Sequence, residues 1–159
     1  MKYKLSDRLR MKQINVTQTA ADTATALRLP TGIVETSTKV WMLMTIYIRL
    51  ALAAGTAASV DWQVIAQCLR GNVGTGGTGN DHLFANRIIH FSDAAPVGQS
   101  AVQGVNYWNI PEGLIIPDQD ITCRVESAGT GIANDAFFQF WYRLVDVSPT
   151  DLLSLRELG

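Results

Sequence analysis

The chain has 159 residues, 47% hydrophobic and 17% charged, with 13 Lys+Arg against 14 Asp+Glu and a formal net charge of -1. That balance excludes disorder driven by high charge, and it excludes a uniformly basic protein that coats nucleic acid by bulk charge. The length suffices to bury the core of one domain; two cysteines make no disulfide framework, and two histidines leave little for metal or imidazole chemistry.

Residues 1–12 carry Lys2, Lys4, Arg8, Arg10 and Lys12 against the single acid Asp7, a local +4 that leaves -5 on the other 147 residues. This basic arm reads either as a solvated terminus or as a segment that meets an anionic partner. No apolar run follows its charges, so no secretory signal is expected. Ser6–Met11 has the spacing for one or two helical turns.

From Gln13 onward the pattern turns to period two, which predicts strands. Short candidates are Gln13–Thr19 and Ala24–Leu29. The run from Val40 to Leu52 follows, with Val40, Met42, Met44, Ile46, Ile48, Leu50 and Leu52 on one face. Trp41, Leu43, Thr45, Tyr47 and Arg49 fall on the other. The whole apolar stretch to Ala54 is too short for a membrane helix, which needs roughly 20 residues. Val60–Leu69, Asn86–Phe91, Ala101–Trp108, the alternation around Ile121, Cys123 and Val125, and Ala136–Val147 complete about eight strands. Val40–Leu52 and Ala136–Val147 are expected to be the longest, with Met44, Ile46, Ile48, Phe138, Phe140 and Leu144 buried. Turn clusters lie between, at Gly71–Asp81, Asp93–Ser100, Asn109–Gly113 and Ser127–Asp135. Ser148 as N-cap and Pro149 at the first helical position predict a short C-terminal helix, with Leu152, Leu155 and Leu158 on one face. The expectation is an all-β antiparallel β-sandwich over 13–147, flanked by the arm (1–12) and a tail with a helical turn (148–159).

No constellation marks an enzyme. Gly74, Gly76 and Gly79 match GxGxxG, but strand-like sequence follows instead of a helix, no Lys follows the glycines, and no acid sits at the ribose position. With Gly77 these glycines read as a long surface loop that contacts neighbouring subunits. His82 and His90 lack a third ligand or a marked nucleophile and read as structural. Asp118 and Asp120 could hold a cation such as Ca²⁺, but read first as a polar turn. Cys68 and Cys123 read as buried thiols on core faces. No metal, cofactor or small-molecule substrate is expected.

Aromatic residues are the better signal. Phe137 and Trp141 fall on the face of their strand opposite Phe138, Phe140 and Tyr142; with Trp41 and Tyr47 they suggest a sheet whose outer face is also covered. Further copies of the same chain, or its own terminal segments, are the simplest cover, and on the first of these Phe137, Trp141, Trp41 and Tyr47 are the candidate subunit interface.

Eight strands, low charge, a basic arm and apolar residues on both sheet faces together resemble the single jelly-roll capsid (coat) proteins of icosahedral viruses, over Gln13 to Val147. The resemblance implies a self-assembling structural subunit of a virion, made in the host cytoplasm, that contacts its own copies and other virion proteins. It also implies weak, nonspecific contact of the arm (Lys2, Lys4, Arg8, Arg10, Lys12) with nucleic acid or an inner membrane. Alternatives are a phage head-decoration protein and a carbohydrate-binding β-sandwich module with Tyr107 and Trp108 as stacking rings.

Overall fold

The computed structural model describes residues 4–5, 8–51, 62–71, 83–91 and 103–157. Its elements are β1 (Lys4–Leu5), β2 (Arg10–Thr17), β3 (Ala24–Pro30), β4 (Lys39–Ala51), β5 (Trp62–Arg70), β6 (Leu83–Phe91), β7 (Gln103–Ile116), β8 (Asp120–Ala128), β9 (Asp135–Asp146) and α1 (Pro149–Glu157). Alternation builds the strands as expected. Along β9, Ala136, Phe138, Phe140 and Tyr142 are buried while Phe137, Gln139, Trp141 and Arg143 between them are only half-buried.

All pairings are antiparallel. One sheet has the order β1-β9-β4-β7 with β2 also on β9, and the other the order β3-β8-β5-β6. The pairs β5–β6, β4–β7, β3–β8 and β2–β9 nest one inside the next, like a single long hairpin whose tip is β5–β6. Wrapping that ribbon on itself adds the β4–β9 and β5–β8 pairs and separates the two sheets. The core between them holds Trp41, Leu43, Ile46, Ile48, Val64, Ile121, Val125, Phe138 and Phe140.

Three expectations need correction. First, the face of β4 changes midway. Leu43 and Thr45 sit opposite adjacent residues of β9, Tyr142 and Trp141, so Met44 is an extra, unpaired residue. A bulge shifts the phase of every side chain before it. Trp41 and Leu43 therefore point into the core, and Trp41, expected on the outer face and at the interface, is fully buried. Met44 and Leu144 pack against the core only in part. Second, Asn109–Gly113 does not end a strand. On β7, Leu114 pairs with Leu43 and Asn109 with Thr45, so Ile110–Gly113 bulge out where β4 also bulges. This makes β7, at 14 residues, longer than β4 or β9. Gly113 takes φ 73°, and a Cβ there would lie 2.9 Å from Met42 Sδ.

Third, the outer positions 10–12 are not arm. β2 starts at Arg10 and runs through the expected boundary at 12/13 paired with β9, and β1 pairs Lys4 with Asp146. Arg10 and Met11 are thus strand, not helix. On the C-terminal helix, Leu152 and Leu155 turn toward the core, and Leu158 lies outside the described residues. The N-cap is as expected: Ser148 Oγ accepts from Asp151 N at 3.1 Å, and its carbonyl from Leu152 N at 2.9 Å. Arg70 fastens the helix by donating from Nη2 to Leu155 O (3.2 Å) while its Nε meets Asp118 Oδ2 at 2.8 Å. No helix among the described residues is long and apolar enough to cross a membrane.

Candidate functional site

Register fixes what the outer face of the β2-β9-β4-β7 sheet presents. Directly paired residues share a face, so rows can be read across the four strands. One row is Met11, Trp141, Thr45 and Asn109. The next is Gln13, Gln139, Tyr47 and Tyr107, and the third begins Asn15, Phe137, Arg49. The rings meet along diagonals. Tyr107 lies 6.2 Å from Trp141, and Tyr47 lies 6.2 Å from Phe137 at 74°, close to edge-on. The Arg49 guanidinium stands 5.5 Å over the Phe137 ring. Amides fill the gaps, with Gln139 Nε2 donating to Gln13 Oε1 (3.2 Å) and Thr45 Oγ1 to Asn109 Oδ1 (3.1 Å). Tyr107 is 58% and Met11 48% exposed. Tyr47, Phe137 and Trp141 are half-buried among one another.

The other sheet turns a different surface outward. Arg28 pairs with Asp120 at 3.5 Å and Arg124 with Glu126, between the amides of β5. That face mixes these ion pairs with Ile65 and the exposed Ile88; the first is aromatic. Asp118 and Asp120 each face an arginine, Arg70 and Arg28, which occupies the carboxylates in the way a cation would. Among the described residues no group of three or more His, Cys, Asp or Glu converges.

Of the expected interface residues, Phe137, Trp141 and Tyr47 come together on the outer face, and Trp41 does not. Tyr107 joins them, while Trp108, its expected partner as a sugar-stacking ring, turns inward against the core. Period two along β7 carried that signal, since adjacent residues point to opposite faces. Of the arm cations, Arg8 and Arg10 are exposed. Lys12 is half-buried and held against the fold: Nζ donates to Pro30 O at 2.6 Å and stands 5.7 Å from the Trp41 ring centroid. Its alternation with Ile14 and Val16, which also face inward, could have disclosed this. Lys2 and the loop glycines Gly74, Gly76, Gly77 and Gly79 lie outside the described residues, as does the side chain of Lys4.

A five-stranded and a four-stranded sheet, joined by nested antiparallel pairs, define the chain as a jelly-roll β-sandwich. Among solved structures it is similar to a chain of Desmodium yellow mottle tymovirus, at 8% identity over 87% of each chain with a TM-score of 0.41. It is also similar to the infectious bursal disease virus VP2 subviral particle (14% identity, 88% of this chain and 37% of that one, TM-score 0.38). A third is the infectious bursal disease virus Gx strain, at 13% identity, 88% and 36% coverage, and a TM-score of 0.37. The chain spans little more than a third of the two bursal disease virus chains. No known family's sequence profile matches it, and no curated protein matches it in sequence.

Proposed function

We propose that this chain is a self-assembling structural subunit of a virus capsid, one tile of an icosahedral shell, and that its outer aromatic face is where copies meet. One observation carries the reading. Tyr47, Tyr107, Phe137 and Trp141 cluster on the outer face of a sheet whose inner face already fills the core. Rings contribute nothing to a monomer's interior from there, whereas Trp and Tyr dominate the binding energy of protein interfaces. The exposed Arg8 and Arg10 supply weak, sequence-independent contact with nucleic acid or an anionic membrane inside the particle.

The test is the assembly state of the purified chain, by light scattering on size exclusion and by negative-stain imaging. Closed particles or defined oligomers that dissolve on Trp141→Lys support the reading. A monomer at tens of micromolar, unchanged by that substitution, overturns it. Oligomers that form only on a preformed phage head would instead favour a decoration protein. The carbohydrate-binding reading keeps one specific support, the exposed Tyr107 ring on the same face of β7 as Asn109; glycan-array binding by a monomer, lost in Tyr107→Ala, would favour it.

A further inference from the structure

β5 and β8 are the two inner strands of the second sheet, and their register sets Cys68 directly opposite Cys123. Both are fully buried and both are free thiols. Directly opposed residues of an antiparallel pair have Cβ atoms about 4.5–5.5 Å apart, and a disulfide needs about 3.5–4.5 Å. The two therefore stand within about 1 Å of bonding distance without any change of register. We propose that Cys68 and Cys123 are a latent cross-strand disulfide, a modification site that staples the centre of the β3-β8-β5-β6 sheet when the chain folds in an oxidising medium.

The chemistry balances with a small-molecule disulfide as oxidant. One cysteine thiolate attacks it, releasing one small thiol and leaving a mixed disulfide; the second thiolate displaces the other small thiol and closes the Cys68–Cys123 bond. Two protons and two electrons leave the protein. In the folded chain this reaction is blocked. Val64, Ala66, Ile121 and Val125, on the same face of β5 and β8 as the pair, are all fully buried. Burial pushes the Cys68 thiol well above its ordinary pKa, and the adjacent Cys123 thiol adds to the rise. Buried thiols of this kind are inert. The same burial shields the bond from reductants once it is made. Redox state is thus decided while the sheet closes and is held afterwards. The bond itself does not rest on the capsid reading; only its use, hardening a particle that leaves a reducing cell, does.

The full chain is unfolded and refolded with either reduced or oxidised glutathione, then mapped by mass spectrometry without reduction. The expected result is a monomer 2 Da lighter with a Cys68–Cys123 cross-linked peptide in the oxidised arm. Closing a loop of about 55 residues should raise its melting temperature by roughly 5–10 °C. A water-soluble phosphine should leave the bond intact until denaturant is added. Cys68→Ala should show no oxidant-dependent shift. Two free thiols in the oxidatively refolded native chain would overturn the proposal, as would bonds only between chains or a cross-linked form that melts lower. These readouts come from the monomer, so they stand whether or not particles form; particle stability with and without the bond is a separate measurement bearing on the capsid reading.

Discussion

Trp41 and Tyr142 lie face to face in the core, their ring centroids 3.7 Å apart and their planes within 8°. Trp41 is pinned from two further directions. Its Nε1 donates to Thr31 O at 3.1 Å, and the Lys12 ammonium stands over its ring. One side chain thus joins β4, β9, β2 and the segment after β3. Trp41→Ala should lower unfolding free energy by about 3–5 kcal/mol, the range for large aromatic truncations in cores. Trp41→Phe keeps most of the ring but strands the Thr31 carbonyl, at a cost of about 1–3 kcal/mol. Urea unfolding followed by circular dichroism measures both. An assembly defect without loss of stability would restore Trp41 to the outer face.

The outer rings should behave oppositely. Trp141→Lys and Phe137→Lys are expected to weaken self-association by at least about 30-fold, equivalent to roughly 2 kcal/mol for an interface hot spot. Their melting temperature should move by only a few degrees, because these side chains are half-exposed. Sedimentation over a concentration series separates the two effects. A large melting loss with unchanged association would mean that the rings only brace the sheet.

β9 was legible residue by residue from Asp135 to Arg143, where nothing interrupts its alternation; only at Leu144 and Val145 does the pattern break. β4 was not, because Val40, Trp41, Met42 and Leu43 are all apolar and either phase looks acceptable. The extra residue at Met44 leaves no mark in composition; it exists only relative to the register of β7 and β9. Pro111-Glu112-Gly113 has the local chemistry of a turn, and Gly113 does take positive φ. What lets the strand continue is the β4 partner on its other side, a contact distant in sequence. The aromatic surface was half visible: Phe137, Trp141 and Tyr47 followed from period two, whereas Tyr107 joined them only through the pairing of β4 with β7. Arg10 and Lys12 carry the charge of an arm but lie on β2, an edge strand, and edge strands commonly carry Lys and Arg.

The N-terminal cations now separate into two tests. Deleting residues 1–12 removes three β2–β9 pairs and the Lys12 bond to Pro30, so it should destabilise the sandwich by about 1–3 kcal/mol. Arg8→Ala with Arg10→Ala should leave stability within about 0.5 kcal/mol, since both side chains are exposed. If each contacts a phosphate, the double substitution lowers the log-log salt slope of nucleic-acid binding by about 1.4–1.8. An unchanged slope in a titration against single-stranded and duplex DNA would remove the arginines from that role.

Acid should loosen one end of the sandwich through Asp22. This residue holds φ 54°, and its carboxylate accepts from the Thr130 N–H at 2.8 Å, the Thr130 hydroxyl and the Gly131 N–H. Partial burial pushes its pKa upward, but these three donors outweigh it and the net shift is downward. A depressed folded-state pKa means that the stabilisation is complete above the unfolded value of about 3.9. It is lost as pH falls through the folded-state value. Asp22→Asn, which tolerates the left-handed backbone, should be less stable than the parent at pH 7. The gap should close in the acid range in paired thermal melts from pH 7 to 2. A constant gap would show that the charge on Asp22 contributes nothing.

The nesting of the pairs sets a timetable for the newly made chain. β5 and β6 emerge together and can zip at once, but β4 must wait for β7, β3 for β8, and β2 for β9. β9, which divides β2 from β4, is also made after both of them. During synthesis the apolar strand from Lys39 to Ala51 therefore lacks both final neighbours until β7 is made and still lacks β9 after that, and until then the sheet that carries the aromatic face cannot close. Closure demands contacts distant in sequence, which fold slowly and leave unpaired edges open to other nascent copies. On the capsid reading proposed above, association between copies must not come too early, and ribosome-bound chains halted before residue 135 are where that hazard falls.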